Sequence, residues 1–226
     1  MGQPWDFLDD ENWSGGYYEL AIKLGPRSSP TAAEHLVTAL RTIWSRPGLK
    51  GCYRDRWTEP VDQERVAAQP VDHDHPEPLY GIADLPRGLR VVCASHVVRE
   101  AADDGDDWIA MCLPLGALGR ADPRVGAYPF GDESSSRAWR EPIDDWFVAM
   151  AEAVAAQHQF ELALIGHEVS GMDWQFNGGP AEGEWATYLV PSPTGLQVLP
   201  PKPWTDDSNA ALDAMAADAE NLGLYE

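Results

Sequence analysis

The sequence predicts an α+β protein, with a mixed or antiparallel sheet and its helices on one face. The pattern is loosely ferredoxin-like, or a pseudo-duplicated version of that plan. Two strand, helix, strand units lead to this prediction, one at about residues 16–57 and one at about 107–171, with two further strands between them. Residues 1–226 are predicted to form a single domain, because 44% of them are hydrophobic and can fill one substantial core.

The first unit begins with GYYELAIKLG (16–25), where apolar and polar residues alternate as in a strand with one buried face. A helix follows, and its start is indicated either by an N-cap at Ser29 or by a capping box from Thr31 to Glu34. Its apolar residues recur at helical spacing until a Pro-Gly pair ends the run. LKGCYRDRW (49–57) then indicates a short strand.

Three strands are predicted in the middle of the chain. The first two lie at about 79–84 and 89–99, and a Pro-Arg-Gly turn separates them. The third is DWIAMCLPLGAL (107–118), whose apolar run is typical of a strand buried on both faces, although Pro114 limits its pairing.

The second helix is predicted to begin at Pro142, with Asp144 and Asp145 near its positive end. FELALIGHEVSG (160–171) indicates the strand that completes this unit. On that strand His167 and Glu168 would point to opposite faces, so we expect that they cannot act together.

The last part of the chain is predicted to contain a strand, a proline-rich strap and a helix. WATYLVP (185–191) indicates the strand. Residues 191–204 contain five prolines and predict a stiff strap. A final amphipathic helix is predicted over 208–223, and the strap would tie it to the body of the protein.

The composition of the chain limits its possible cellular locations. The first thirteen residues carry four acidic groups and no basic one, unlike a secretory signal, and no apolar run is long enough for a membrane span. Cys52, Cys93 and Cys112 are odd in number and lack CxxC spacing, which argues against disulfides and a cysteine-based zinc site. We therefore predict a soluble, cytoplasmic protein without membrane contact, in which Cys112 is buried and inert.

The net charge of −21 is distributed unevenly along the chain. Residues 1–58 contain seven basic and seven acidic groups, whereas residues 142–226 contain fourteen acidic groups and one lysine. Such a field repels nucleic-acid phosphates and anionic lipid, and it attracts basic protein surfaces. The sequence therefore predicts a basic protein partner and no direct binding of nucleic acid. A solvated surface that only maintains solubility remains an alternative.

The favoured function is a non-enzymatic, acidic protein-binding module. One form is an immunity or antitoxin-type inhibitor that occludes a basic toxin, and another is a DNA mimic that binds a nucleic-acid-binding protein. Tryptophans in polar contexts could anchor such an interface. The full set of these tryptophans is Trp5, Trp13, Trp57, Trp139, Trp174, Trp185 and Trp204. The residues predicted to bind the partner are Asp144, Asp145, Trp174, Glu182, Glu184, Trp185, Trp204, Asp206 and Asp207.

The alternative function is a metal-dependent enzyme or metal sensor that uses His73 and His75. In an extended chain these two side chains share one face, which could chelate a divalent ion. A complete site needs at least a third ligand, and nothing in the spacing of the other donors selects one. The flanking prolines and acidic residues favour a polar loop instead. No nucleophile elbow, phosphate loop or HExxH motif is present, and no cofactor is predicted.

Overall fold

A computed structural model describes residues 2–70, 76–99, 105–122, 124, 134–170 and 186–200, with the backbone alone for 134–139. These residues form an eight-stranded antiparallel sheet with three α-helices, which confirms the α+β class. The strands are β1 (Tyr17–Pro26), β2 (Leu49–Tyr53), β3 (Leu79–Asp84), β4 (Arg90–Arg99), β5 (Asp106–Pro114), β6 (Leu162–His167), β7 (Ala186–Ser192) and β8 (Gly195–Leu199). The helices are α1 (Ala32–Trp44), α2 (Leu115–Ala121) and α3 (Ser134–Ala155).

The strand order across the sheet is β2-β3-β4-β5-β1-β6-β7-β8. The first strand of the chain therefore lies in the middle of the sheet, between β5 and β6. A ferredoxin-like arrangement is not confirmed, because β3 and β4 separate β2 from β5. The two strand, helix, strand units nevertheless meet directly where β1 pairs with both strands of the second unit.

α1 and α3 lie side by side on one face of the sheet and enclose the main core. The alternation of β1 places Tyr18, Leu20 and Ile22 on this face, where all three are fully or almost fully buried. α3 contributes a buried stripe at helical spacing. The stripe consists of Ile143, Phe147, Met150 and Val154.

Trp44 of α1 packs against a pair of glycines in two neighbouring strands. Gly51 of β2 and Gly81 of β3 pair directly, so no Cβ separates the indole from the sheet. The indole N–H donates a hydrogen bond to Ser95 Oγ at 2.9 Å. A Cβ on Gly81 would lie 2.6 Å from the Trp44 ring and 2.6 Å from the Lys50 carbonyl oxygen, far inside normal contact distance. The two glycines thus fix the close approach of α1 to the sheet.

The N-terminal segment packs on the other side of the sheet. Tyr53 and Tyr80 alternate with residues that face α1, so their rings point to the opposite face. Phe7 meets Tyr53 edge to face at 5.9 Å between ring centroids, and Trp13 meets Tyr80 in the same way at 5.4 Å. This aromatic packing holds residues 2–16 against the sheet.

Three predicted boundaries were wrong. The strand predicted over 107–118 ends at Pro114, and α2 begins at the next residue. The predicted strap over 191–204 contains β8, which pairs with β7 through a turn at Ser192–Gly195. The prolines hid this hairpin, because Pro191 and Pro193 lie at and within the turn, whereas residues 195–199, which form β8, contain none.

The third wrong boundary is the start of α3. Pro142 lies inside the helix, which begins eight residues earlier at Ser134. Proline at this position removes one backbone hydrogen bond, typically at a cost of about 3 kcal/mol. The helix formers Arg137, Ala138 and Arg140 precede it, and the buried stripe beyond it packs against the sheet, so the helix continues through the proline.

Candidate functional site

The loop that follows β2 is held in place by its own hydrogen bonds. The Asp55 carboxylate accepts from the Trp57 backbone N–H at 2.8 Å and from the Thr58 hydroxyl at 2.7 Å. The Gln63 amide nitrogen donates to the carbonyl oxygens of Asp55 and Thr58 at 2.7 and 2.6 Å. These contacts close the loop around Trp57 and fix the backbone of the loop.

The end of the same loop is attached to the sheet. The Val66 N–H donates to the Cys52 carbonyl at 2.9 Å, and Arg65 Nε donates to the Gly51 carbonyl at 2.6 Å. Both acceptors belong to β2, the edge strand of the sheet. The loop is therefore attached to β2 at both of its ends.

The most exposed apolar side chains of the described residues lie on this loop and on the N-terminal segment. Val61 is 89% exposed, Trp57 is 60% exposed and Leu8 is 51% exposed, and Trp5 on the same segment as Leu8 is 37% exposed. We refer to the exposed side of residues 5–10 and 55–62 as the Trp57 surface. A large aromatic side chain that stays in solvent on an ordered loop is unusual for a purely structural residue.

Arg56 joins the two parts of the Trp57 surface. Its guanidinium lies 3.3 Å from the centroid of the Trp57 ring and 5.8 Å from that of Trp13. One of its nitrogens also contacts Asp10 Oδ1 at 3.1 Å. The stacked guanidinium restricts the indole and keeps one of its faces covered.

Carboxylates crowd together on this surface. Glu59 lies against Asp6 and close to Asp62, and its partial burial, followed by these two charges, raises its pKa above the usual range. In the described part of the chain no Lys, Arg or His forms an ion pair with any of the three. The surface therefore combines an exposed indole with three carboxylates that form no ion pair.

Of the predicted partner-binding residues, Asp144 and Asp145 are described, and they have different surroundings. Asp145 is exposed on α3. Asp144 is largely buried: the Tyr18 hydroxyl donates a hydrogen bond to it, and Arg140 Nε lies 3.7 Å from its Oδ2. Burial raises the pKa of Asp144 to about 7, although the Tyr18 hydrogen bond and Arg140 act in the opposite direction. Partner binding by either residue stays a prediction.

The remaining predicted site residues lie outside the described residues. For the partner site these are Trp174, Glu182, Glu184, Trp185, Trp204, Asp206 and Asp207, and for the metal site they are His73 and His75. Within the ranges that the structure describes, no three His, Cys, Asp or Glu side chains converge to hold a metal ion.

The metal site remains testable by elemental analysis of the purified protein. If His73 and His75 bind an ion, the metal content should approach one ion per chain and fall in a His73→Ala, His75→Ala double variant. Equal content in the two proteins, or less than about a tenth of an ion per chain in both, would rule the site out.

The prediction that His167 and Glu168 cannot act together was wrong. β6 ends at His167, and Glu168 adopts a left-handed conformation with φ of 49°, which breaks the alternation of the strand. A Cβ on Gly16 would lie 2.7 Å from Glu168 Oε1 and 3.0 Å from His167 Nε2. Both side chains therefore converge on Gly16 at one end of the sheet.

A buried pair that the sequence did not indicate lies on the face opposite α1 and α3. Glu19 of β1 accepts a hydrogen bond from the Cys112 thiol at 3.2 Å and another from the Ser170 N–H at 2.7 Å. Burial, with the carboxylate beside it, raises the pKa of Cys112 well above its usual value. The thiol therefore stays protonated, which agrees with the expectation that Cys112 is inert.

Comparisons with known proteins give no family assignment: no family model, no curated protein and no solved structure matches the chain. Among the described helices, none is long and apolar enough to cross a membrane. The function must therefore be argued from the surface and the charge of the molecule.

Proposed function

We propose that this chain is a non-enzymatic protein-binding module that docks a basic partner protein through the Trp57 surface. The supporting observation is the 60% exposed Trp57 on a loop closed by Asp55 and Gln63. Tryptophan is enriched among the residues that dominate binding energy, and a preformed loop loses little entropy when it docks. Asp6, Glu59 and Asp62 beside it favour a partner with basic groups.

The more specific form of the proposal is an immunity or antitoxin-type inhibitor that occludes the basic active site of a toxin. The net charge of −21 favours fast association with such a target. The acidic and tryptophan residues predicted in the C-terminal half would belong to the same or a second contact area. A DNA mimic uses the same electrostatics, and competition of duplex DNA for the partner would identify that case.

The first test is capture of the partner from a host extract at low salt, followed by elution with a salt ramp. The partner identified in this way is then titrated with purified wild-type and Trp57→Ala proteins. We expect the substitution to weaken binding by about tenfold to a hundredfold, because the indole is a central anchor of the proposed interface. The free energy of unfolding should change little, since the side chain is largely in solvent.

Val198→Ala is the matched control. Val198 is an apolar side chain of similar exposure, 44%, on the edge strand β8. Its truncation should leave the affinity unchanged. Equal affinities of wild-type and Trp57→Ala proteins would remove the Trp57 surface from the interface, whereas the absence of any captured basic protein would argue against the function itself.

A further inference from the structure

Two histidines meet where α1 begins and α3 ends. His35 belongs to the first turn of α1, and His158 lies three residues beyond Ala155, the last residue of α3. Their rings are stacked, with centroids 4.9 Å apart and an angle of 12° between the planes. The His158 N–H donates to the Val154 carbonyl at 3.2 Å, so its backbone closes the helix while its ring contacts α1. The stack therefore joins the two helices that cover the core.

The surroundings of the stack favour the uncharged form of the His158 ring. Both ring nitrogens of His158 are shielded from solvent and have no hydrogen-bond partner. Glu34 on α1 and Glu152 on α3 are exposed, and within the described part of the chain no carboxylate forms an ion pair with either ring. Burial, and then the neighbouring His35, lower the pKa of His158. Protonation would thus add buried, unpartnered N–H groups and a like-charge contact.

The residues around His158 also form one wall of a groove. The groove has a volume of about 420 Å³ and lies between the end of α3 and the β7–β8 hairpin. Ala155, Ala156, Gln159 and Phe160 line it on the α3 side, and Leu196 lines it on the hairpin side. A change in the position of His158 would therefore move this wall.

We infer that the His35–His158 stack is an acid-sensitive latch, which holds the end of α3 against α1 while the His158 ring is neutral and releases it when that ring is protonated. In the unfolded chain His158 has the ordinary histidine pKa, whereas in the folded protein its pKa is lower. The contribution of the latch to stability is therefore complete above about pH 6.5 and is lost as the pH falls below this value. Release would loosen the first turn of α1 and the groove wall.

Amide hydrogen exchange at pH 7 and pH 5, corrected for the intrinsic rates, tests this inference. The Asp144→Asn background is used throughout, because the titration of Asp144 has the opposite sign in the same pH range. We expect exchange in the first turn of α1 and in residues 156–160 to accelerate on the order of tenfold at pH 5, because protonation of His158 opens the contact between the two helices. A His158→Phe variant keeps a stacked ring and should show no such acceleration.

His158→Leu also removes the titrating ring and should give the same result if His158→Phe does not fold. His96→Phe is the matched control, since His96 is another buried histidine with a lowered pKa but lies on β4. It should leave the acceleration at α1 intact. Equal acceleration in the wild type and in the His158 variants, or an ordinary pKa for His158 by NMR titration, would overturn the latch.

Discussion

Replacement of Asp144 by asparagine is expected to stabilise the protein at pH 8 by about 2–4 kcal/mol, which corresponds to a pKa raised by roughly three units. In the folded protein the pKa of Asp144 is about 7, against 3.8 as its ordinary value. Ionisation in the folded state is therefore penalised at high pH, and the penalty decreases as the pH falls from about 7 towards 4. Asparagine avoids the charge, and its side-chain oxygen can still accept the Tyr18 hydrogen bond.

Urea unfolding at pH 8 and at pH 4 measures this effect. The advantage of Asp144→Asn should be present at pH 8 and largely lost at pH 4, where the carboxyl group is protonated in the folded state and about half protonated in the unfolded state. Asp145→Asn is the matched control, because Asp145 is the exposed neighbour on the same helix. A variant that is less stable than wild type at pH 8 would show that the charged Asp144, through Arg140, stabilises the fold.

The second large effect is expected at the contact between α1 and the sheet. Gly81→Ala should destabilise the protein by about 2–4 kcal/mol, because the added methyl group overpacks a filled site. The methyl carbon would lie 2.6 Å from both the Trp44 ring and the Lys50 carbonyl. The backbone carbonyl cannot move without breaking the β2–β3 pairing, so Trp44 must shift away from Ser95.

Gly119→Ala in α2 provides the control, because a Cβ at that position meets nothing within 4 Å. This substitution should be neutral or slightly stabilising, since alanine favours helix. The free energy of unfolding and the near-ultraviolet signal of the tryptophans measure both variants. A Gly81→Ala protein as stable as wild type would mean that Trp44 can leave its position at little cost.

The sequence predicted the elements better than their arrangement. β1 was found because large apolar residues recur at every second position from Tyr18 to Leu24, a pattern that few other structures produce. The strand order was not predictable, because alternation reports which face is buried and carries no information about neighbours. β8 was missed for a different reason: prolines dominate its surroundings, while only five residues form the strand.

The candidate site was less predictable than the fold. The excess of negative charge lies in the C-terminal half of the sequence, whereas the carboxylate cluster combines Asp6, from the charge-balanced residues 1–58, with Glu59 and Asp62 just beyond them. The orientation of Asp144 could have been recognised, since it lies three residues before Phe147 and four after Arg140 and so shares the inner side of α3. The stacked histidines could not, because contact between residues 35 and 158 depends on how two helices pack.

The central position of β1 has a consequence for how the chain folds. Its pairing partners β5 and β6 lie about 95 and about 150 residues further along the chain, as the registers Tyr18–Leu113 and Tyr18–His167 show. A newly made β1 therefore has no neighbour until about half of the 226 residues have been synthesised, and it lacks β6 for longer still. Such long-range pairing slows folding and leaves an apolar strand open to wrong partners in the meantime. We expect a chain that stops before β6 to aggregate rather than to form a smaller sheet.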